Sequence, residues 1–176
     1  MKKILYLHGL GRNGHDELYQ NLRKYVPEDI EILTLDISPR RPKKSYEEIQ
    51  KIVEENNPTI VIGFSMGGFF ADLISLPLKL YINPALHLPE YISRKSGPLV
   101  EEFNELARKY RFKNNPRKCI DIVGNQDNKI GIPSEALFSK NYKHGKVIRF
   151  EGGHDINELE IREIVIPLLR QLIEEE

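Results

Sequence analysis

Thr59-Ile60-Val61-Ile62-Gly63-Phe64-Ser65-Met66-Gly67-Gly68 begins as a run of β-branched apolar residues and ends with a serine set among glycines. The first half predicts a buried strand over 59–63. The small-residue segment 66–75 that follows predicts a helix, which must stop before Pro77 because a residue preceding proline is pushed out of the α region. Strand, tight turn and helix around G-x-S-x-G describe a nucleophile elbow. In such an elbow the serine hydroxyl is raised above the carboxyl edge of a sheet. The turn is tight, so Gly63, Gly67 and Gly68 let strand and helix approach. The pattern alone is weak, and the strand before it and the helix after it give it weight. The competing reading is a glycine-rich turn that packs closely or holds a phosphate.

Short apolar runs and helix-like stretches alternate on either side. Strands are predicted at 4–7, 30–35, 78–82, 119–123 and 146–150, and helices at 15–26, 45–56, 133–140 and 158–173. Ser45 followed by Glu48 fits a capping box opening the second helix, and Pro167 predicts a kink or break in the last. Strands separated by helical stretches imply βαβ units, and continuous apolar runs imply strands covered on both faces. The expected fold is a three-layer α/β/α sandwich with about six mostly parallel strands in the order 2-1-3-4-5-6. The chain order reverses between strands 1 and 3, the kind of point where open α/β sheets bind ligands. Residues 85–116 carry several prolines around one amphipathic stretch near 99–110, which reads as a helical insertion after strand 4. Phe103 and Leu106 either line an acyl pocket under a lid there or pack on the core. Nothing divides the chain, so 1–176 is expected to be one domain.

Composition narrows the function classes. Lys+Arg and Asp+Glu are both 26 in 176 residues, so no global field favours nucleic acid or an anionic membrane. The single cysteine, Cys119, excludes an intramolecular disulfide framework and Cys-based zinc sites. In a strand it reads as a small buried hydrophobe. No segment approaches the apolar length of a membrane span, and the apolar run at 4–7 is too short for a signal peptide. The expectation is a cytoplasmic protein without cofactor or metal. Pro39-Arg40-Arg41-Pro42-Lys43-Lys44 is a basic run that reads as a solvated loop, or as a contact for coenzyme A phosphates.

A serine hydroxyl needs a base. His154, in Glu151-Gly152-Gly153-His154 after the sixth strand, falls on the same carboxyl edge as Ser65, whereas His144 precedes that strand and falls on the opposite edge. His15 and His87 read as surface or loop residues. The base in turn needs a carboxylate, and Asp127 follows the fifth strand on the shared edge. Asp121 lies within that strand, and Asp155 adjoins His154. The order Ser65, Asp127, His154 is that of α/β-hydrolases. Backbone amides of Met66, after the serine, and of Leu10, in the loop after strand 1, are the expected oxyanion-hole donors. His8 and Gly9 are expected to support that loop. Gly9-x-Gly11-x-x-Gly14, with Asp36 downstream, also fits a dinucleotide fingerprint, but that reading explains neither Ser65 nor His154.

Tyr6-Leu7-His8-Gly9, Gly63-x-Ser65-x-Gly67-Gly68, Ile82-Asn83-Pro84-Ala85 and Glu151-Gly152-Gly153-His154 occur in this order. Together they resemble the YqiA-like branch of small α/β-hydrolase esterases, from residue 4 to about 172. The resemblance implies a minimal α/β-hydrolase fold with Ser65 as nucleophile, His154 as base and Asp127 as acid. It implies carboxylesterase or acyl-thioesterase activity on a small-molecule substrate, without cofactor. The chain departs from the family at Asn125-Gln126-Asp127, where a run of acidic residues is common, and across 85–116. The alternative function is a binding or regulatory protein on a hydrolase fold whose site is weak or unused.

Overall fold

The computed structural model describes residues 2–92, 97–111 and 116–175. Six strands, β1 (Lys2–Leu7), β2 (Ile30–Thr34), β3 (Ile60–Phe64), β4 (Leu78–Ile82), β5 (Lys118–Gly124) and β6 (Lys146–Phe150), form one sheet. Their order is β2-β1-β3-β4-β5-β6 and every adjacent pair is parallel. That is the expected order. The register pairs Leu7 with Gly63, Phe64 with Ile82, Ile82 with Ile122 and Gly124 with Phe150. The carboxyl ends of β1, β3, β4, β5 and β6 therefore stand in one row, and the loops leaving them share one edge.

Alternation along the strands feeds two cores. On one face Ile4, Tyr6, Ile62, Leu80 and Ile122 pack against Leu18 and Leu22 of α1 (Glu17–Tyr25) and Val165, Leu169 and Leu172 of the C-terminal helical run. On the other, Leu5, Leu7, Val61 and Tyr81 meet Ile49 of α2 (Pro42–Asn56), Phe69 and Phe70 of α3 (Met66–Leu73) and Phe138 of α6 (Gly131–Asn141). All eight residues of α3 are buried, as a helix between a sheet and further helices requires.

The insertion holds α4 (Leu88–Ile92) and α5 (Gly97–Tyr110), while its residues 93–96 and 112–115 lie outside the described residues. Phe103 and Leu106 of α5 are buried, and the Phe103 ring packs edge-on against Phe69 at 5.3 Å. Of the two expectations for this stripe, the packing is the one observed. Arg111, just past α5, lies over the Phe69 ring and brings Nε to 3.3 Å from Oδ2 of buried Asp72 in α3. Tyr81 and Tyr142 donate their hydroxyls to Asp72 Oδ1. Lys79, wholly buried in β4, donates to the Ala71 carbonyl at 3.0 Å and so caps the C-terminal end of α3. Burial pulls the Lys79 ammonium down to about 8, with Asp72 opposing it.

The start of α2 and the C-terminal helical run depart from expectation for identifiable reasons. α2 begins at Pro42, not at Ser45, because proline at the first helical position needs no N–H partner. Ser45 is buried within the helix and its hydroxyl bridges the amide and carbonyl of Ser38, so the capping box with Glu48 does not form. Part of the basic run thus becomes helical, with Lys43 paired to Glu105 and Lys44 to Glu48. The C-terminal run comprises α7 (Glu158–Glu160), a π-helical stretch at Ile161–Val165 and α8 (Ile166–Glu174). Pro167 lacks the N–H that would bond back to Glu163, and the wider π turn absorbs the proline that was expected to kink or break the helix. Among the described residues no helix is long and apolar enough to cross a membrane.

Asp121 in β5 is fully buried, and neither of its carboxylate oxygens has a hydrogen-bond partner among the described residues. Burial, reinforced by Glu135, pushes its carboxyl well above the usual range. Between the unfolded value of about 4 and the raised folded value, the unfolded chain binds fewer protons, so this group's contribution to stability falls as pH rises. Asp121→Asn should withstand more urea than the wild type at pH 8, by at least about 1 kcal/mol, with the gap closing towards pH 4. Equal midpoints at both pH values would contradict this.

Candidate active site

Ser65 sits between β3 and α3 with φ 52° and ψ −117°, a conformation rarely adopted outside glycine. The surroundings hold it there. Its amide donates to the Ile82 carbonyl at 3.1 Å, and its carbonyl accepts from the Gly68 and Ala85 amides at 2.9 and 2.8 Å. The helix can follow so abruptly because Gly67 has no side chain: a Cβ there would lie 1.9 Å from the Leu7 carbonyl oxygen. A Cβ on Gly63 would likewise meet Gly68 Cα at 2.7 Å. Gly9 lies against the Phe64 ring and Ser65 Cβ.

The loop after β6 brings His154 Nε2 to 2.9 Å from Ser65 Oγ, and the loop after β5 brings Asp127 Oδ2 to 2.7 Å from His154 Nδ1. An ionised Asp127 only accepts, so the network assigns the imidazole proton to Nδ1 and leaves Nε2 to accept from the serine hydroxyl. Asp127 is buried, and its two oxygens also accept from the amides of Ile130 and Gly131 at the start of α6. Burial alone would raise its carboxyl; the hydrogen bond and charge of His154, with those two amides, outweigh burial and hold it below its ordinary value. The carboxylate is thus ionised at neutral pH.

Competing carboxylates go elsewhere. Asp121 is inside the sheet. Asp155 turns outward to Arg12, whose Nη2 lies 2.6 Å from Oδ1 and whose guanidinium stands 4.9 Å over the Phe64 ring. Phe64 in turn packs against the His154 ring at 5.3 Å. His8 is buried and accepts the Ile37 amide on Nε2 at 2.8 Å; Nδ1 therefore carries the proton and donates to the Gly9 carbonyl at 2.7 Å. These two bonds tie the Gly9 end of the loop after β1 to Ile37. His144 lies beside Cys119 near the amino end of β5, on the opposite edge from Ser65. His15 packs edge-on against Tyr19. His87 was read from sequence as a surface or loop residue. It is half-buried, with Nδ1 2.8 Å from the Ser134 hydroxyl of α6, and burial lowers its pKa.

The dinucleotide reading of the glycine loop loses its two anchors. Asp36, the would-be ribose acid, accepts from the Gly14 amide at 2.8 Å. The N-terminus of α1, where a pyrophosphate would sit, is capped by the carboxylate of Asp16, which accepts from the Tyr19 amide and the Tyr6 hydroxyl. Two amides beside Ser65 and in the glycine loop are unengaged. Met66 N–H at the first position of α3 and Leu10 N–H donate to no backbone or side-chain acceptor among the described residues. Leu10 itself is 56% exposed.

A shallow groove of about 380 Å³ opens beside His154 and Asp127, lined by Tyr91, Gln126, Asn128, Lys129 and Ile130. Among the described residues no group of three or more His, Cys, Asp or Glu side chains gathers as a metal would require.

The profile of a family described as "Uncharacterised protein family (UPF0227)" matches residues 3–136. Comparison with curated protein sequences finds no match. Among solved structures, Est1E from Butyrivibrio proteoclasticus superposes with a TM-score of 0.79 at 18% identity, covering 98% of this chain and 88% of that one. The same protein with ferulic acid bound gives 0.77 at 16%, covering 99% and 90%. A putative hydrolase of the alpha/beta superfamily from Xanthomonas campestris gives 0.71 at 12%, covering 100% of both chains. These likenesses identify the α/β-hydrolase fold.

Gly67→Ala should destabilise the protein by about 3 kcal/mol, since the clash is with backbone. Gly153→Ala, whose Cβ meets nothing within 4 Å, should stay within about 0.5 kcal/mol of wild type. Urea midpoints for the pair check this; equal stability of the two variants would contradict the strand-to-helix contact.

Proposed function

The chain belongs to the uncharacterised protein family UPF0227, and on that footing we propose that it is a serine hydrolase cleaving a small-molecule carboxylic ester or acyl thioester. One observation carries the reading: a continuous hydrogen-bonded line runs from Ser65 Oγ through His154 to Asp127 on the row of strand ends. The strained backbone at Ser65 supports it, because strain at a nucleophile elbow presents the hydroxyl to a substrate. So do the two unengaged amides and the esterases among proteins of the same fold.

In this mechanism Ser65 Oγ attacks the acyl carbon while His154 Nε2 takes its proton. Asp127 holds the imidazole tautomer and stabilises the imidazolium. The Met66 and Leu10 amides receive the charge developing on the carbonyl oxygen, which a hydrogen bond stabilises more in the transition state than in the substrate. His154 then protonates the departing alcohol or thiol, giving an acyl-Ser65 enzyme. A water that gives its proton to His154 attacks that ester, and the acid leaves as Ser65 is reprotonated.

The groove beside His154 is the approach for substrate, with Tyr91 and Ile130 as its apolar walls. With Phe103 and Leu106 packed into the core, the groove and the exposed Leu10 are the apolar surfaces offered to an acyl or alcohol group. Short-chain p-nitrophenyl esters, acyl thioesters and a ferulate ester form the test panel, the last because Est1E holds ferulic acid.

Ser65→Ala should lose all turnover with its melting temperature unchanged within about 3 °C. Asp127→Asn keeps the volume but favours the wrong imidazole tautomer, and kcat should fall about 10⁴-fold. Steady-state kinetics on any substrate the wild type accepts checks both. Wild-type turnover by Ser65→Ala would overturn the mechanism, and an unchanged rate in Asp127→Asn would remove the acid from its role.

A further inference from the structure

We infer that Asn83 is a positioning residue that fixes His154 relative to the serine and to the loop bearing Asp127. The catalytic part of this inference rests on the proposed hydrolase reading; the structural part does not.

Asn83 follows β4 directly and is fully buried, with φ 41°. Asparagine tolerates this left-handed region better than other non-glycine residues. The backbone is held by its amide, which donates to the Ile122 carbonyl of β5 at 2.8 Å. The side chain is then fully used. Nδ2 donates to the carbonyls of Gly153 at 3.0 Å and His154 at 2.7 Å, and Oδ1 accepts from the Gly124 amide at 2.8 Å. The orientation of the amide is forced, because two carbonyls on one side need donors and an N–H on the other needs an acceptor. No other side-chain type of this size supplies both.

The residues that follow close the arrangement. Pro84 packs where a Gly68 Cβ would be, and the Ala85 amide donates to the Ser65 carbonyl at 2.8 Å. A Cβ on Gly131 would meet both Asn83 Oδ1, at 2.8 Å, and Asp127 Oδ2, at 3.0 Å, so Asn83 also abuts the helix start that cradles the acid. One short turn therefore touches the main chain of Ser65 and of His154, the end of the acid's strand, and the cradle of Asp127.

The His154 loop needs such a hold. Its start is tied through the Gly152 carbonyl, which accepts from the Gln126 amide at 2.9 Å. On the outside it is tied by the Arg12–Asp155 pair, in which Asp155 is 78% exposed, and exposed pairs contribute little. Asn83 supplies a buried hold on the next two carbonyls, those of Gly153 and His154. Charge-neutral bonds to a loop's own carbonyls orient it without altering the charge at the imidazole, so the expected signature is in kcat rather than KM.

Asn83→Gly keeps the left-handed backbone and removes all three side-chain bonds. Asn83→Asp keeps the size and the acceptor but sets an oxygen against two carbonyls. Both should lower kcat on p-nitrophenyl acetate about 10- to 100-fold, the scale of a small misplacement of a reacting group, with KM within about threefold. The second readout needs no turnover. The proton on His154 Nδ1, shared with Asp127, should give a low-field NMR resonance in the wild type, assigned by its absence from His154→Gln. It should broaden away in both Asn83 variants while the amide spectrum stays dispersed. Wild-type kcat in folded Asn83→Gly overturns the inference whatever the spectrum shows. If Asn83→Gly does not fold, Asn83→Asp carries the same criteria. If the wild type hydrolyses no ester, the resonance decides alone. Its loss in the variants supports the positioning role while the hydrolase reading fails, and its persistence overturns the role.

Discussion

Everything at the carboxyl edge depends on how closely α3 approaches the ends of β1 and β3. Gly67 lies so near the Leu7 carbonyl that no side chain fits, and this contact lets the chain reverse within one residue at Ser65. The strain at that residue is carried by neighbours rather than relieved: β4 accepts its amide, and the turn after β4 donates to its carbonyl. The parallel register then brings the loops after β5 and β6 level with it.

Behind the elbow, the same helix is held by a set of buried polar groups. Lys79 caps the C-terminus of α3, and Asp72 collects Arg111, Tyr81 and Tyr142. Leaving any one of these without its partner deep in a core costs far more than the pair contributes to net stability. The cluster therefore acts on specificity of packing: it sets the position of α3 along the sheet and ties the end of α5 to it. Ser65 sits at one end of this helix and the cluster at the other.

Much of this was legible in the chain. Leu78–Ile82 and Lys146–Phe150 fall where the apolar runs place them, because proline or glycine lies close to each. Ser65 and His154 were legible as glycine-flanked residues after predicted strands, and Asp127 by its place after β5. What escaped was long-range. Lys79 reads as the polar residue of a strand, and only the position of α3 shows why it is buried. Asn83 reads as half of a turn-forming Asn-Pro, although its side-chain partners lie 41 to 71 residues away. Asn-Pro at a strand end on the carboxyl edge was the available signal, but nothing local specifies its bonds. Ser45 misled for the opposite reason, since a local capping pattern lost to a proline three residues earlier.

The groove beside His154 is shallow and mixed in character, so the proposed chemistry rests on the line from Ser65 through His154 to Asp127. The most direct test of the central claim is therefore independent of substrate. Folded wild-type protein is treated with a fluorophosphonate, digested, and the modified peptide mapped by mass spectrometry. A single adduct on Ser65, formed rapidly, is the expected result. A folded protein that remains unlabelled, or that is labelled elsewhere while Ser65 stays free, would contradict it.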